Sequence, residues 1–71
     1  MMSNEEMDEA LHGCMSSLWR AYREATIKGD YDIFNDSVES LRKVYKDEAI
    51  NSFITGMGTG FTKALRRHAD G

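Results

Sequence analysis

Apolar residues recur at spacings of three and four through most of this 71-residue chain, the periodicity of helices that bury one face. Met7, Leu11, Met15, Leu18, Tyr22 and Ala25 form the first stripe. Ser3 followed three residues later by Glu6 reads as a capping box, and the acids around it suit the positive end of a helix dipole. Lys28-Gly29 is a stop signal, with a cation in the last turn and a glycine for the left-handed cap. A first helix is therefore predicted over about 4–28.

Tyr31, Phe34, Val38, Leu41 and Tyr45 make the second stripe, with Glu39 and Lys43 as a supporting i,i+4 pair. Asp30 is its expected cap and Asn35 an alternative start, which gives a second helix over about 30–46. The third stripe, Ile50, Ile54, Met57, Phe61, Ala64 and His68, is rotated from the second by about 140° at 100° per residue. One straight helix could not bury both, so a turn is predicted near Lys46-Asp47-Glu48, with Asp47 capping a third helix over about 48–68.

These elements predict an all-α fold, a three-helix, mainly antiparallel small domain. Its first two helices form a hairpin at Gly29-Asp30, with Leu11, Leu18, Tyr22, Phe34, Val38 and Leu41 mostly buried. Chains of this length bury a modest share of their surface and usually need reinforcement, and the single cysteine, Cys14, excludes an internal disulfide. Completion of the core by homo-oligomerisation is expected, a dimer being favoured.

Gly56-Met57-Gly58-Thr59-Gly60 interrupts neither the third stripe nor its polar face, although each interior glycine costs a helix roughly 1 kcal/mol against alanine. Neither phosphate-binding loop fits. Phe61 stands where the last glycine of a dinucleotide fingerprint would fall, and Lys63 is not adjacent to a glycine as a Walker loop requires. The expected use is helix packing: Ala49, Gly56, Gly60 and Ala64, with Phe53 and Met57 beside them, form the predicted close-approach or dimer interface. Gly13, Ser17, Ala21 and Ala25 form a similar ribbon on the first helix. Gly58 shares another side with Asn51, Thr55 and Thr62, where it would mark a kink or a ligand-facing edge.

The remaining chemistry is sparse. His12 and Cys14 are two residues apart and point to different faces of a helix, so Cys14 reads as a small buried hydrophobe and no metal or cofactor is expected. No carboxylate pair or nucleophile–base set is legible, and no enzymatic activity is expected. A net charge of −3 argues against a dedicated nucleic-acid binder. The longest uncharged run, Ala49 to Thr62, is too short and too polar to span a bilayer, so no membrane partner is expected. One thiol and an acidic start, Glu5-Glu6-Met7-Asp8-Glu9, point to the cytoplasm.

The predicted role is a small regulatory, adaptor or inhibitory module that binds a protein partner. Trp19 with Arg23 has the composition of an interface anchor, and Ile33 and Val44 mark a second, weakly apolar face. Two alternatives accompany it. A small polar or anionic molecule could be captured at a subunit junction near Gly58, Thr59, Thr62 and Lys63, or a nucleic acid could be bound weakly through the basic turn of Lys63, Arg66 and Arg67.

Overall fold

The computed structural model describes residues 2–70. Three helices follow one another: α1 (Asn4–Lys28), α2 (Asp32–Val44) and α3 (Glu48–Asp70). The expected capping box opens α1, with the Glu6 N–H donating to Ser3 Oγ and the Ser3 N–H returning to Glu6 Oε1, both at 3.1 Å. That bond from the Ser3 backbone, reinforced by the Ser3 side chain, lowers the Glu6 pKa below its ordinary value of 4.5. A depressed carboxylate pKa adds stability that is present above the ordinary value and is lost as the pH falls through the lower, folded one. Protection of the first-turn amides of α1, taken relative to their intrinsic exchange at each pH, is therefore expected to fall as the pH drops below about 4.5, and Glu6→Gln should remove that pH dependence.

Gly29 ends α1 in the left-handed region, at φ 67°, and the N–H groups of Gly29 and Asp30 both turn back to the Ala25 carbonyl. This is the one position where a positive φ demands glycine among the described residues. Asp30 is not the N-cap of the second helix: it lies one residue earlier, in the turn, where its Oδ1 accepts from the Asp32 N–H at 3.2 Å. The second helix is accordingly shorter than 30–46 at both ends. Tyr31 occupies its N-cap position, and Tyr45 leaves it in extended conformation.

Asp47 caps α3 as expected, Oδ1 accepting from Ala49 N–H at 2.9 Å and Ile50 N–H at 3.2 Å. Asn51 ties the preceding turn down, its side-chain amide donating to the Tyr45 and Asp47 carbonyls. The helix then continues to Asp70, two residues beyond the predicted end and with no break at the glycines.

Packing is up, down, up. Leu18, Ala21, Ala25, Phe34 and Leu65 form one buried cluster, and Ala10, Cys14, Ile50 and Ile54 the other, with Val38 and Leu41 of α2 bridging the two. Both α1 and α3 thus run antiparallel to α2 and parallel to each other. Of the six core residues expected in the hairpin, Leu18 and Phe34 are fully buried and Leu11, Tyr22, Val38 and Leu41 half-buried.

The buried rows are rotated from the predicted stripes toward small residues. On α1 the buried set is Ala10, Cys14, Leu18, Ala21 and Ala25, while Met15 is pushed out to 45% exposure. On α3 it is Ile50, Ile54, Gly58 and Leu65, while Met57, Phe61 and Ala64 are half-buried and His68 is exposed. Small side chains leave room for the neighbouring helix, and the longer apolar ones splay over the seam instead.

Candidate functional site

The glycine ribbon is where the structure departs most from expectation. A Cβ built on Gly56 or Gly60 would meet nothing within 4 Å, so no helix of the same chain approaches either residue. Gly58, expected at a kink or an exposed edge, is the buried glycine. A Cβ there would lie 3.5 Å from Val38 Cγ2 and 3.6 Å from Cγ1, inside an unbroken helix. The two faces are exchanged because the neighbour of this side of α3 is α2, whose approach a single-helix pattern does not record.

This exchange also disperses the predicted ligand pocket. Gly58 is covered by Val38, and Thr62 lines a cleft of about 270 Å³ between α2 and α3 with Tyr31, Asn35, Leu65, Arg66 and Ala69. Thr59 spends its hydroxyl on the Thr55 carbonyl at 3.0 Å, and Lys63 is exposed. The three cations of the basic turn do not converge either. Arg66 lines the α2 side of α3, whereas Arg67 lines the α1 side with Tyr22, Ala64 and His68.

Ile33 is half-buried and packs against the cluster of Leu18 and Phe34, so it is the wall toward α1. Val44, 70% exposed at the far end of α2, does not share a patch with it. Cys14 is fully buried among Ala10, Ile50 and Ile54, and burial pushes its thiol above the usual range, which disfavours the thiolate a nucleophile needs. Among the described residues no cluster of His, Cys, Asp and Glu could hold a metal ion, and no helix is long and apolar enough to cross a membrane.

What the fold does assemble is an aromatic surface along the seam of α1 and α3. Trp19 is 53% exposed, yet its ring stacks on Tyr22 at 5.6 Å between centroids and lies 6.4 Å from Phe61. Phe61 in turn contacts Tyr22 at 5.2 Å and the buried Phe34 at 5.4 Å. The indole is therefore outside the core but braced by it. Tyr22 also meets His68 edge-on at 5.9 Å, which accounts for the end of the third stripe.

Met15 lies one turn before Trp19 on the same side of α1, with Phe53 and Met57 half-buried opposite on α3. Helical spacing sets Ala49, Gly56 and Gly60 immediately beside Phe53, Met57 and Ala64, on the flank turned away from α2. The predicted anchor Trp19 and the predicted interface residues of α3 are thus brought onto one face. Met15 completes it, although its place in the first stripe predicts a core position. Its exposure becomes legible only once α1 is known to bury its alanines.

No protein-family model matches the chain, nor does any curated protein or any solved structure.

Proposed function

We propose that this chain is a small, non-catalytic protein-binding module of the regulatory, adaptor or inhibitory kind, and that its binding surface is the α1/α3 face around Trp19. The observation that carries the reading is the half-exposed indole held between Tyr22 and the seam at Phe61. A tryptophan already fixed by stacking loses little freedom when a partner covers it, which is the property of an interface anchor. Arg23, one turn further along α1, is exposed beside it. Self-association is part of this reading. So is a reducing, cytoplasmic setting, supported by a lone cysteine kept as a buried free thiol.

Trp19→Ala should keep the helical signal, because the ring is not enclosed, and should abolish capture of the partner from cells that make the chain. Arg23→Ala should weaken the same capture with no change in folding. Unfolding of Trp19→Ala, together with unaltered capture by Arg23→Ala, would make the indole a core-edge residue and overturn the reading.

A further inference from the structure

We infer that the cleft between α2 and α3 is a binding site for a small free carboxylic acid, taken up as the anion of a compact apolar body. It lies on the other side of α3 from the Trp19 face.

Two helices build the cleft, Tyr31 and Asn35 at the start of α2 and Thr62, Leu65, Arg66 and Ala69 in the last turns of α3. Tyr31 and Asn35 are four residues apart, and Thr62, Arg66 and Ala69 follow at four and three, so each helix gives one ridge to the seam. The lining divides by chemistry. Buried Leu65, half-buried Tyr31 and the Ala69 methyl group supply its apolar part, and Asn35, Thr62 and Arg66 its polar part.

The polar part is not used by the fold. Arg66 has no acid partner among the described residues, where the one salt bridge is Lys28–Glu24. Thr26 and Thr59 give their hydroxyls to carbonyls of the preceding turn, whereas Thr62 makes no such bond among the described residues. Asp32, Asp36 and Asp70 directly follow Tyr31, Asn35 and Ala69, and about 100° of helical rotation carries each of them off the cleft. One positive charge therefore stands beside neutral donors, with no acid on the lining.

A carboxylate matches that set. The guanidinium can give two parallel N–H groups to its oxygens, and the Asn35 amide and Thr62 hydroxyl are donors for the remaining lone pairs. At about 270 Å³ the cleft is smaller than the roughly 300–1,000 Å³ of sites for drug-sized ligands, so a small acid suits it and a nucleotide does not. Other clefts lack the combination. Glu39 with Arg42 and Lys43 further along the same seam, and Arg20 with Glu24 between α1 and α2, put both signs in one place. Glu6 and Glu9 line another with no cation, and Arg67 and His68 line one with no buried side chain.

Hexanoate is the probe. Followed by two-dimensional amide NMR spectra, its addition should shift the Asn35 side-chain amide and the backbone amides of 62–66 along a saturable curve. Acetate should bind on the order of tenfold more weakly, since each buried methylene is worth about fourfold in affinity. Hexylamine and inorganic phosphate should give no saturable shift there. Arg66→Gln should weaken hexanoate binding on the order of tenfold or more, by loss of a charge-assisted bond. Arg67→Gln removes the same charge one residue away, outside the cleft, and should bind as the wild type does. Both arginines are exposed, and the spectra themselves report whether each variant is folded. No saturable shift at these residues, an equal loss in the two arginine variants, or hexylamine binding as tightly as hexanoate would overturn the site. Capture of a protein partner through Trp19 stands or falls separately.

Discussion

Phe34→Ala is expected to remove a large part of the chain's stability and to lower its melting midpoint by more than about 10 °C. Phe34 is the largest fully buried side chain, and it is the point at which α2 is held to both of its neighbours. It shares a cluster with Leu18, Ala21 and Ala25 of α1 and Leu65 of α3, and its ring lies 5.4 Å from Phe61. Truncating a buried phenylalanine costs about 3–5 kcal/mol, through lost apolar burial and an unfilled cavity. A domain of this length has roughly 4–10 kcal/mol in total. Collapse into the space is obstructed because the surrounding small residues, Ala21 and Ala25, lack the longer side chains that could fill it. A thermal melt followed by circular dichroism should show that drop in the midpoint. A midpoint lowered by only a few degrees would mean that α2 is held elsewhere.

Gly58 should answer in opposite directions to two substitutions. Alanine removes the entropic penalty of a mid-helix glycine, worth about 1 kcal/mol, and its methyl group would lie in ordinary contact with Val38. Gly58→Ala should therefore raise the melting midpoint. Leucine adds three further carbons to a site already closed by the Val38 side chain, and overpacking of this sort costs about 1–3 kcal/mol. Gly58→Leu should melt below Gly58→Ala by that amount. Equal stability of the two would show that α2 yields easily at Val38, and that the buried glycine is not a packing requirement.

The contrast between Gly58 and its neighbours shows how far the chain can be read without its fold. Helix ends are legible because their causes are local. Ser3 and Glu6 bond each other across a single turn, Gly29 supplies the left-handed cap, and Asp47 Oδ1 reaches amides two and three residues away. The rotation between the second and third stripes is equally local, and it marks the turn that the structure places at 45–47. The start of α2 is less accessible, because Asp30 and Asn35 are both competent caps and the choice depends on how Tyr31 packs.

What only the tertiary structure decided is which side of each helix faces which neighbour. A helix in a three-helix bundle touches two partners, so its apolar arc is wide, and periodicity locates the arc without locating the seams within it. Met15 and Phe61 are as apolar as Leu18 and Ile54, yet the first is nearly half exposed and the last two are fully buried. The deciding factor is distance between helices. Ala10, Cys14, Ala21, Ala25 and Gly58 occupy the contacts because their small size admits a neighbour, and this shifts Met15, Trp19, Met57 and Phe61 to the rim. The residues of the proposed binding face, Trp19, Arg23 and those around Gly56 and Gly60, could therefore be named from the sequence. Its existence as one surface depended on α1 and α3 lying parallel, a relation between residues some forty positions apart that no local pattern encodes.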